Sequence, residues 1–239
     1  MYAATAESWR QPYLDGRVLL IDKPLGWTSF DVVKKIRIQT GVSKVGHAGT
    51  LDPLATGLLI VCTGKFTKRI NEYMAREKEY TGTFRFGSVT PTYDLESEPV
   101  AKGAFEHLTL SELRRAAKVF TGDILQVPPI HSAVKKDGKP AYLLARKGRE
   151  VKLDPRPVNI SEFEITALAL PDVGFRVVCS TGTYIRTLAN DMGLELGCGA
   201  HLSSLRRTRI GEFSVDSAMD MEAFVGSVGR EKAAASQNG

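Results

Sequence analysis

Residues 46–57 read Gly46-His47-Ala48-Gly49-Thr50-Leu51-Asp52-Pro53-Leu54-Ala55-Thr56-Gly57, and this stretch decides how the rest of the chain is interpreted. Three glycines and a proline within these twelve residues argue against a stable helix or an interior strand. Apolar residues are interleaved with the breakers, and the apolar run at 58–62 is typical of a buried central strand. The sequence therefore predicts a shaped loop that is anchored to the hydrophobic core where it ends.

Asp52 is the chemically informative residue of this loop. It is the only carboxylate between Asp31 and Glu72, so no neighbour in sequence can form an acid–base pair with it. Pro53 favours an extended backbone at Asp52. A lone, positioned carboxylate suits nucleophilic attack, since it is ionised at neutral pH without a deprotonating partner. The alternative is a carboxylate that only caps a turn before proline, which is the commoner role of an isolated Asp-Pro.

The composition is that of an ordinary globular protein, with 239 residues, 43% hydrophobic and 25% charged. No apolar run approaches the roughly 20 residues that a membrane helix needs, and residues 1–11 lack the features of a signal peptide. The three cysteines lie far apart, which favours buried thiols in a reducing compartment. We therefore expect a cytoplasmic protein with no membrane partner.

The positive charge of the chain is concentrated in one segment. Residues 131–156 contain eight basic and three acidic residues, which accounts for the whole net charge of +5. Such a local basic patch is typical of a nucleic-acid contact. A solvated, highly charged helix is the alternative interpretation.

Local patterns predict both strands and helices. A helix is expected after Thr28 or Ser29, with Phe30, Val33 and Ile36 on its apolar face. Thr109 and Glu112 form a capping box before another helix. Further expected elements are strands at 17–21 and 80–86, a hairpin joined around Pro171, and a helix to Leu196 that Thr181 or Thr183 caps. The order of these elements favours an α+β fold.

Several of these stretches together resemble one known family. Residues 46–57, 22–29 (Asp-Lys-Pro-Leu-Gly-Trp-Thr-Ser) and 181–188 are similar to motifs of the TruB-type tRNA pseudouridine-55 synthases. A polar loop with Thr90, Thr92 and Asp94 matches a further motif, with Ser97 where the family tends to have glycine. The resemblance implies a mixed, largely antiparallel central sheet flanked by helices, and an RNA-gripping insertion at about 126–156. It also implies isomerisation of uridine to pseudouridine at position 55, in the T-stem-loop of tRNA.

The resemblance also assigns roles to six residues. The catalytic residues it implies are Asp52 as nucleophile, Arg186 as its ion-pair partner, and Tyr80 against the target base. The substrate-binding residues it implies are His47, which fills the space of the flipped-out base, Tyr184, and Leu205 at the uracil pocket. An arginine fork is a physically reasonable partner, because it keeps a buried carboxylate charged.

Isomerisation gains and loses no atoms, so no cofactor and no metal are expected. The sequence agrees, since it has neither zinc-spaced Cys/His clusters nor a dinucleotide-binding fingerprint. We expect one catalytic domain over residues 1–230, without a full C-terminal PUA domain, because only 26 residues follow Phe213. Residues 231–239 are expected to be a disordered tail.

The expected partner is tRNA alone, bound by a monomer without a guide RNA or an obligate protein partner. A guide-dependent relative of the dyskerin type is one alternative. An RNA-binding module without catalysis is the other, and it would need only the cations and aromatic residues.

Overall fold

The structure is a computed structural model that describes residues 8–130, 135–136, 139–140 and 153–237. The strands are β1 Val18–Lys23, β2 Val45–His47, β3 Ala55–Thr63, β4 Lys78–Phe86, β5 Ser88–Val89, β6 Val100–Ala101, β7 Gly122–Gln126, β8 Lys135–Lys136, β9 Lys139–Pro140, β10 Arg156–Ala169, β11 Asp172–Cys179, β12 Ala200–Ile210 and β13 Phe213–Ser214. The α-helices are α1 Gln11–Asp15, α2 Ser29–Thr40, α3 Ile70–Met74, α4 Leu110–Val119, α5 Ile185–Glu195 and α6 Met221–Gln237. Short 3-10 helices lie at Ser8–Arg10, Gly64–Arg69 and Val215–Ser217.

The chain divides into two compact units. The first unit comprises Met1–Lys78 and Arg206–Gly239, and the second unit comprises Glu79–Leu205. The division therefore falls within β12, so that Leu205 belongs to the second unit and Arg206 to the first.

In the first unit the strand order is β1–β3–β12, while β2 also pairs with β3 and β13 with β12. Strand β3 is antiparallel to β1, with Leu20 opposite Ile60. Leu59 and Val61 of β3 pack into one hydrophobic cluster, and Leu58, Ile60 and Cys62 pack into another. Burial on both faces explains why this strand is a continuous apolar run in the sequence.

Helices α2 and α6 both contribute buried residues to the hydrophobic cluster on one face of this sheet. Helix α2 begins with the capping box of Thr28 and Asp31, and its buried residues Val32, Val33 and Ile36 join the cluster of β1 and β3. Phe30, expected on the buried face, is instead 60% exposed. The expectation was wrong because the buried face of α2 contains Val32 beside Val33 and Ile36, and Phe30 lies outside that face.

The C-terminal segment corrects a second expectation. Residues 231–237 are helical, as the end of α6, and are not a disordered tail. Glu231 forms an ion pair with Arg17 at 2.7 Å, and the ammonium of Lys232 lies 4.8 Å from the ring centroid of Trp9. These contacts and the alanine-rich sequence stabilise the helix although the segment is polar.

In the second unit the strand order is β12–β4–β11–β10–β7. Strands β10 and β11 form the predicted hairpin, and β10 also pairs with β7 in antiparallel register. The rings of Phe84 and Phe175 are stacked in the core of the second unit, with their centroids 4.1 Å apart. Helix α4 begins with the predicted capping box of Thr109 and Glu112 and packs against β10 and α5.

The expected α+β class, a mixed and largely antiparallel sheet flanked by helices, is confirmed. The basic stretches of the predicted RNA-gripping insertion fall mostly at 131–152, largely outside the described residues. The prediction of one catalytic domain over residues 1–230 stays a prediction.

No α-helix in the described part of the chain is both long enough and apolar enough to span a membrane.

Candidate active site

The loop that carries Asp52 lies in the first unit, between β2 and β3. These strands are antiparallel, with His47 opposite Val61, so both ends of the loop are fixed by the sheet. The hydroxyl of Ser29 donates to the carbonyl of Leu51 at 3.1 Å and accepts from its amide at 2.9 Å. The predicted anchoring of the loop is confirmed, and Asp52 itself is half-buried.

Arg207 forms a second support for this loop. Its side chain is 1% exposed and donates to the carbonyl oxygens of Leu58 at 2.8 Å, Gly49 at 3.1 Å and Thr50 at 3.5 Å. Gly57 lets β12 approach closely, because a Cβ at this position would lie 2.2 Å from the carbonyl oxygen of Arg207. The loop and the buried guanidinium are therefore held together at several points.

Lys23 supports the loop at Pro53, the residue that follows Asp52. Its side chain is fully buried, and its ammonium donates to the carbonyl oxygens of Trp27 at 2.6 Å, Pro24 at 2.9 Å and Pro53 at 3.4 Å. Burial lowers the pKa of Lys23 to about 8, an effect that the negative charge of Asp52 partly opposes. The carboxylate of Asp52 is thus within electrostatic reach of a buried cation.

His47 is half-buried at the start of the same loop. Burial lowers the pKa of its imidazole, and the nearby charge of Arg207 lowers it further. His47 is therefore predominantly neutral at pH 7. His47 is the last residue of β2, and Asp52 lies in the loop that follows it in the first unit.

Arg186 belongs to the second unit, where it is the second residue of α5 and 5% exposed. Its Nη1 lies 3.6 Å from the carboxylate of Asp94 and donates to the carbonyl oxygen of Thr92 at 3.4 Å. Asp94 is itself buried and accepts a hydrogen bond from the amide of Glu96 at 3.0 Å. Sequence reasoning quoted Asp94 within a motif but did not assign it to the site.

Tyr184 is the residue that precedes α5, and its backbone is fixed by the side chain of Gln126 in β7. The amide oxygen of Gln126 accepts from the amide of Tyr184 at 2.7 Å, and its nitrogen donates to the Tyr184 carbonyl at 3.0 Å. The predicted cap by Thr181 or Thr183 was wrong, because the Thr183 hydroxyl donates to the carbonyl of Ser180 and the helix begins later.

The remaining predicted residues also lie in the second unit. Tyr80 is a nearly buried residue of β4, and Leu205 is a half-buried residue of β12. The structure brings His47 together with the Asp52 loop, and Arg186 together with Asp94. The predicted pairing of Asp52 with Arg186 joins residues of different units and stays a prediction, as do the roles of Tyr80, Tyr184 and Leu205.

Metal-ligating side chains are dispersed in the part of the chain that the structure describes. Within it, no three His, Cys, Asp or Glu residues lie close enough to hold a metal ion. What the first unit presents is a half-buried carboxylate on a loop whose backbone carbonyls accept hydrogen bonds from two buried cations, Lys23 and Arg207.

Family models match nearly the whole chain. The model of the N-terminal domain of TruB family pseudouridylate synthases matches residues 36–185. The model of the C-terminal domain of tRNA pseudouridylate synthase B matches residues 186–237.

Curated relatives are named as tRNA pseudouridine synthases, and a solved structure shares the fold. The chain is 52% identical over 221 residues to the tRNA pseudouridine synthase B of Flavobacterium johnsoniae, covering 90% of this chain and 96% of the relative. It is 47% identical to the protein of the same name from Opitutus terrae, covering 88% and 87% of the two chains. In the crystal structure of a Cbf5-Nop10-Gar1 complex, a chain matches with a TM-score of 0.73 and 29% identity. That match covers 94% of this chain but only 61% of the other.

Proposed function

Because the chain belongs to the TruB family of pseudouridylate synthases, we propose that it isomerises uridine 55 in the T-stem-loop of tRNA, with Asp52 as the nucleophile. The reaction breaks the N–C glycosidic bond, rotates the uracil and joins its C5 to the same ribose carbon. No atom is gained or lost, so the proposal includes neither a cofactor nor a metal. The target uridine must leave its stack to reach a half-buried carboxylate.

The observation that carries the proposal is the fixed position of the Asp52 loop. Ser29 holds Leu51, Arg207 holds Gly49, and Lys23 holds Pro53, so the residues on both sides of Asp52 are fixed by buried side chains. A nucleophile gains rate when the protein holds it in reacting geometry before the substrate arrives. The proposal leaves open whether Asp52 attacks uracil C6 or ribose C1′.

The other residues have roles around this attack. Arg186 pairs with Asp52 and keeps it ionised, since a fixed guanidinium stabilises the charged carboxylate. Tyr80 lies against the base, and its hydroxyl oxygen accepts the C5 proton after isomerisation as the hydroxyl's own proton passes to solvent. His47, neutral at pH 7, fills the space of the flipped uridine. Tyr184 and Leu205 line the substrate pocket.

The proposed enzyme acts as a monomer without guide RNA. Support comes from relatives of 52% and 47% identity that are named as tRNA enzymes and that the chain spans almost entirely. The test is incubation of the pure chain with an unguided T-stem-loop transcript, followed by pseudouridine mapping at position 55. Pseudouridine at that position supports the proposal, and unmodified RNA contradicts it.

Asp52→Asn tests the nucleophile. With uridine tritiated at C5, each turnover releases one tritium, because C5 exchanges its hydrogen for the bond to ribose. We expect Asp52→Asn to bind the RNA and to release no tritium. The matched control is Asp15→Asn, an exposed aspartate paired with Lys65, which should retain the wild-type rate. Tritium release by Asp52→Asn above the level of a mock purification would rule out the nucleophile role.

A guide-dependent isomerase is the second candidate, favoured by the likeness to a chain of the Cbf5-Nop10-Gar1 complex. It predicts no product from the unguided transcript and product when a guide RNA and partner proteins are added. An RNA-binding module without catalysis is the third. It predicts full biological rescue by Asp52→Asn in a strain that lacks the gene.

A further inference from the structure

Arg207 is a buried cation whose surroundings differ from those of most buried arginines. It is among the largest fully buried side chains, yet no carboxylate of the described residues forms an ion pair with it. Its hydrogen-bond acceptors are instead the carbonyl oxygens of Leu58, Gly49 and Thr50. Carbonyl dipoles therefore hold this positive charge inside the first unit.

The acceptors of Arg207 lie close to Asp52 in the chain. Gly49 and Thr50 precede Asp52 by three and two residues, and Leu58 lies in the buried part of β3. One planar side chain therefore ties the loop before Asp52 to the strand after it. Because the guanidinium fork has fixed geometry, it sets the relative position of these two segments in a way that a flexible side chain does not.

The charge of Arg207 also reaches the loop. It lowers the pKa of His47 and contributes to the lowered pKa of Lys23. Lys23 in turn is within electrostatic reach of Asp52. A positive potential at this place favours the ionised form of a nearby carboxylate.

We propose that Arg207 is a positioning residue of the isomerase, which orients Asp52 through the backbone of Gly49 and Thr50 and supplies positive potential that keeps Asp52 ionised. The inference rests on the proposed function, since it assigns Arg207 a role in presenting the nucleophile. It differs from a packing role in that the charge of residue 207, and not only its shape, affects the reaction.

The experiment compares Arg207→Gln and Arg207→Lys with wild type in the full chain. Single-turnover rates of tritium release from a T-stem-loop RNA are measured from pH 3.5 to 8.5, so that the range includes the ordinary titration of an aspartate, and RNA affinity is measured separately. Arg209→Gln is the matched control, because Arg209 lies on the same strand and also donates to a carbonyl, that of Gly211, at 2.9 Å. It should keep the wild-type rate and pH profile.

We expect Arg207→Gln to lower the rate at pH 7 at least about tenfold, since a small displacement of a reacting group is costly. RNA affinity should stay within about threefold, because the residue is buried away from solvent. The acid limb of the rate profile should move to higher pH by about one unit, as expected when a nearby opposite charge is removed. Arg207→Lys keeps the charge but lacks the fork, so its rate should fall while its acid limb stays in place.

Two results would overturn the inference. One is a folded Arg207→Gln variant with the rate and pH profile of wild type. The other is an acid limb that is the same in both variants and wild type, which indicates packing alone. If Arg207→Gln does not fold, the single-turnover rate of Arg207→Lys is the test. A wild-type rate in that variant contradicts a positioning role. Failure of the proposed function is distinguishable, since wild type itself would then release no tritium.

Discussion

Nη1 of Arg186 lies 3.6 Å from the Asp94 carboxylate, and both side chains are 5% exposed. The guanidinium that we propose as the partner of Asp52 thus has a buried carboxylate partner within its own unit. Nη1 also donates to the carbonyl of Thr92 at 3.4 Å, so this side chain is oriented by the loop that contains Asp94. Arg186 is therefore fixed before any substrate is bound, which is the condition for a preorganised electrostatic contact.

Asp94→Asn should slow the reaction without abolishing RNA binding. The substitution keeps an acceptor of similar shape but removes the charge that orients Arg186, so we expect a loss of about 10- to 100-fold in the single-turnover rate. Some loss of stability is also expected, because breaking a buried ion pair leaves the other charge uncompensated. The measurement is tritium release by enzyme in excess over RNA. Asp172→Asn, which removes the exposed partner of Arg85, is the matched control and should behave as wild type. Equal rates for the two variants would contradict the prediction.

Tyr80→Phe tests whether the hydroxyl of Tyr80 takes part in proton transfer. Tyr80 lies on β4 and is 9% exposed, so the ring can be kept by phenylalanine with little change in packing. Loss of a proton-transfer group should lower the rate about 100-fold or more. The control is Tyr73→Phe, because Tyr73 is buried against Phe213 in the other unit. A wild-type rate in Tyr80→Phe would reduce Tyr80 to a packing residue.

The parts of the fold that local chemistry determines could be predicted from the sequence. The cap at Thr28 and the buried run of β3 depend on residues a few positions apart, and both are present in the structure. The helix at the end of the chain was missed, because its contact from Glu231 to Arg17 joins the two ends of the sequence. Contacts of that kind have no local signal.

The candidate site was predictable to a similar extent. Asp52 was identified from its loop, whereas Lys23 and Arg207 were not singled out, because lysine and arginine are ordinarily exposed. Their burial depends on carbonyl groups that are presented by distant segments, such as Pro53 for Lys23 and Gly49 for Arg207. The pairing of Arg186 with Asp94 was missed for the same reason.

His47 should make stability depend on pH below neutrality. Its pKa is lowered in the folded protein, so the unfolded chain binds a proton first as the pH falls. The stability associated with neutral His47 is therefore fully present above a pH of about 6.5, the ordinary histidine value. It is lost as the pH falls from there to the folded-state pKa. Urea unfolding of wild type and His47→Gln from pH 8 to 5 measures this, and the variant should lose less stability than wild type. Parallel curves for the two proteins would contradict it.

Gly57→Ala should lower the free energy of unfolding by more than the usual cost of placing alanine at a left-handed backbone position. Gly57 has φ of +101°, and an added Cβ would lie 2.2 Å from the carbonyl oxygen of Arg207. Gly26 is the matched control, because its φ is +79° and a Cβ there meets nothing within 4 Å. Gly26→Ala should cost about 1–2 kcal/mol in the free energy of unfolding, which is the backbone term alone. Gly57→Ala should cost at least about 3 kcal/mol, since overpacking against a backbone adds to that term.

The two glycine variants also separate stability from catalysis, because the backbone that Gly57→Ala displaces is that of Arg207. If the folded fraction of Gly57→Ala is assayed below its melting temperature, its rate per folded molecule should fall at least about tenfold, as for a misplaced nucleophile. Denaturant unfolding gives the free energies, and tritium release corrected for the folded fraction gives the rates. An equal loss of stability in both variants would show that β12 moves away from residue 57 without cost. A wild-type rate per folded Gly57→Ala molecule would show that the Asp52 loop does not depend on where Arg207 is held.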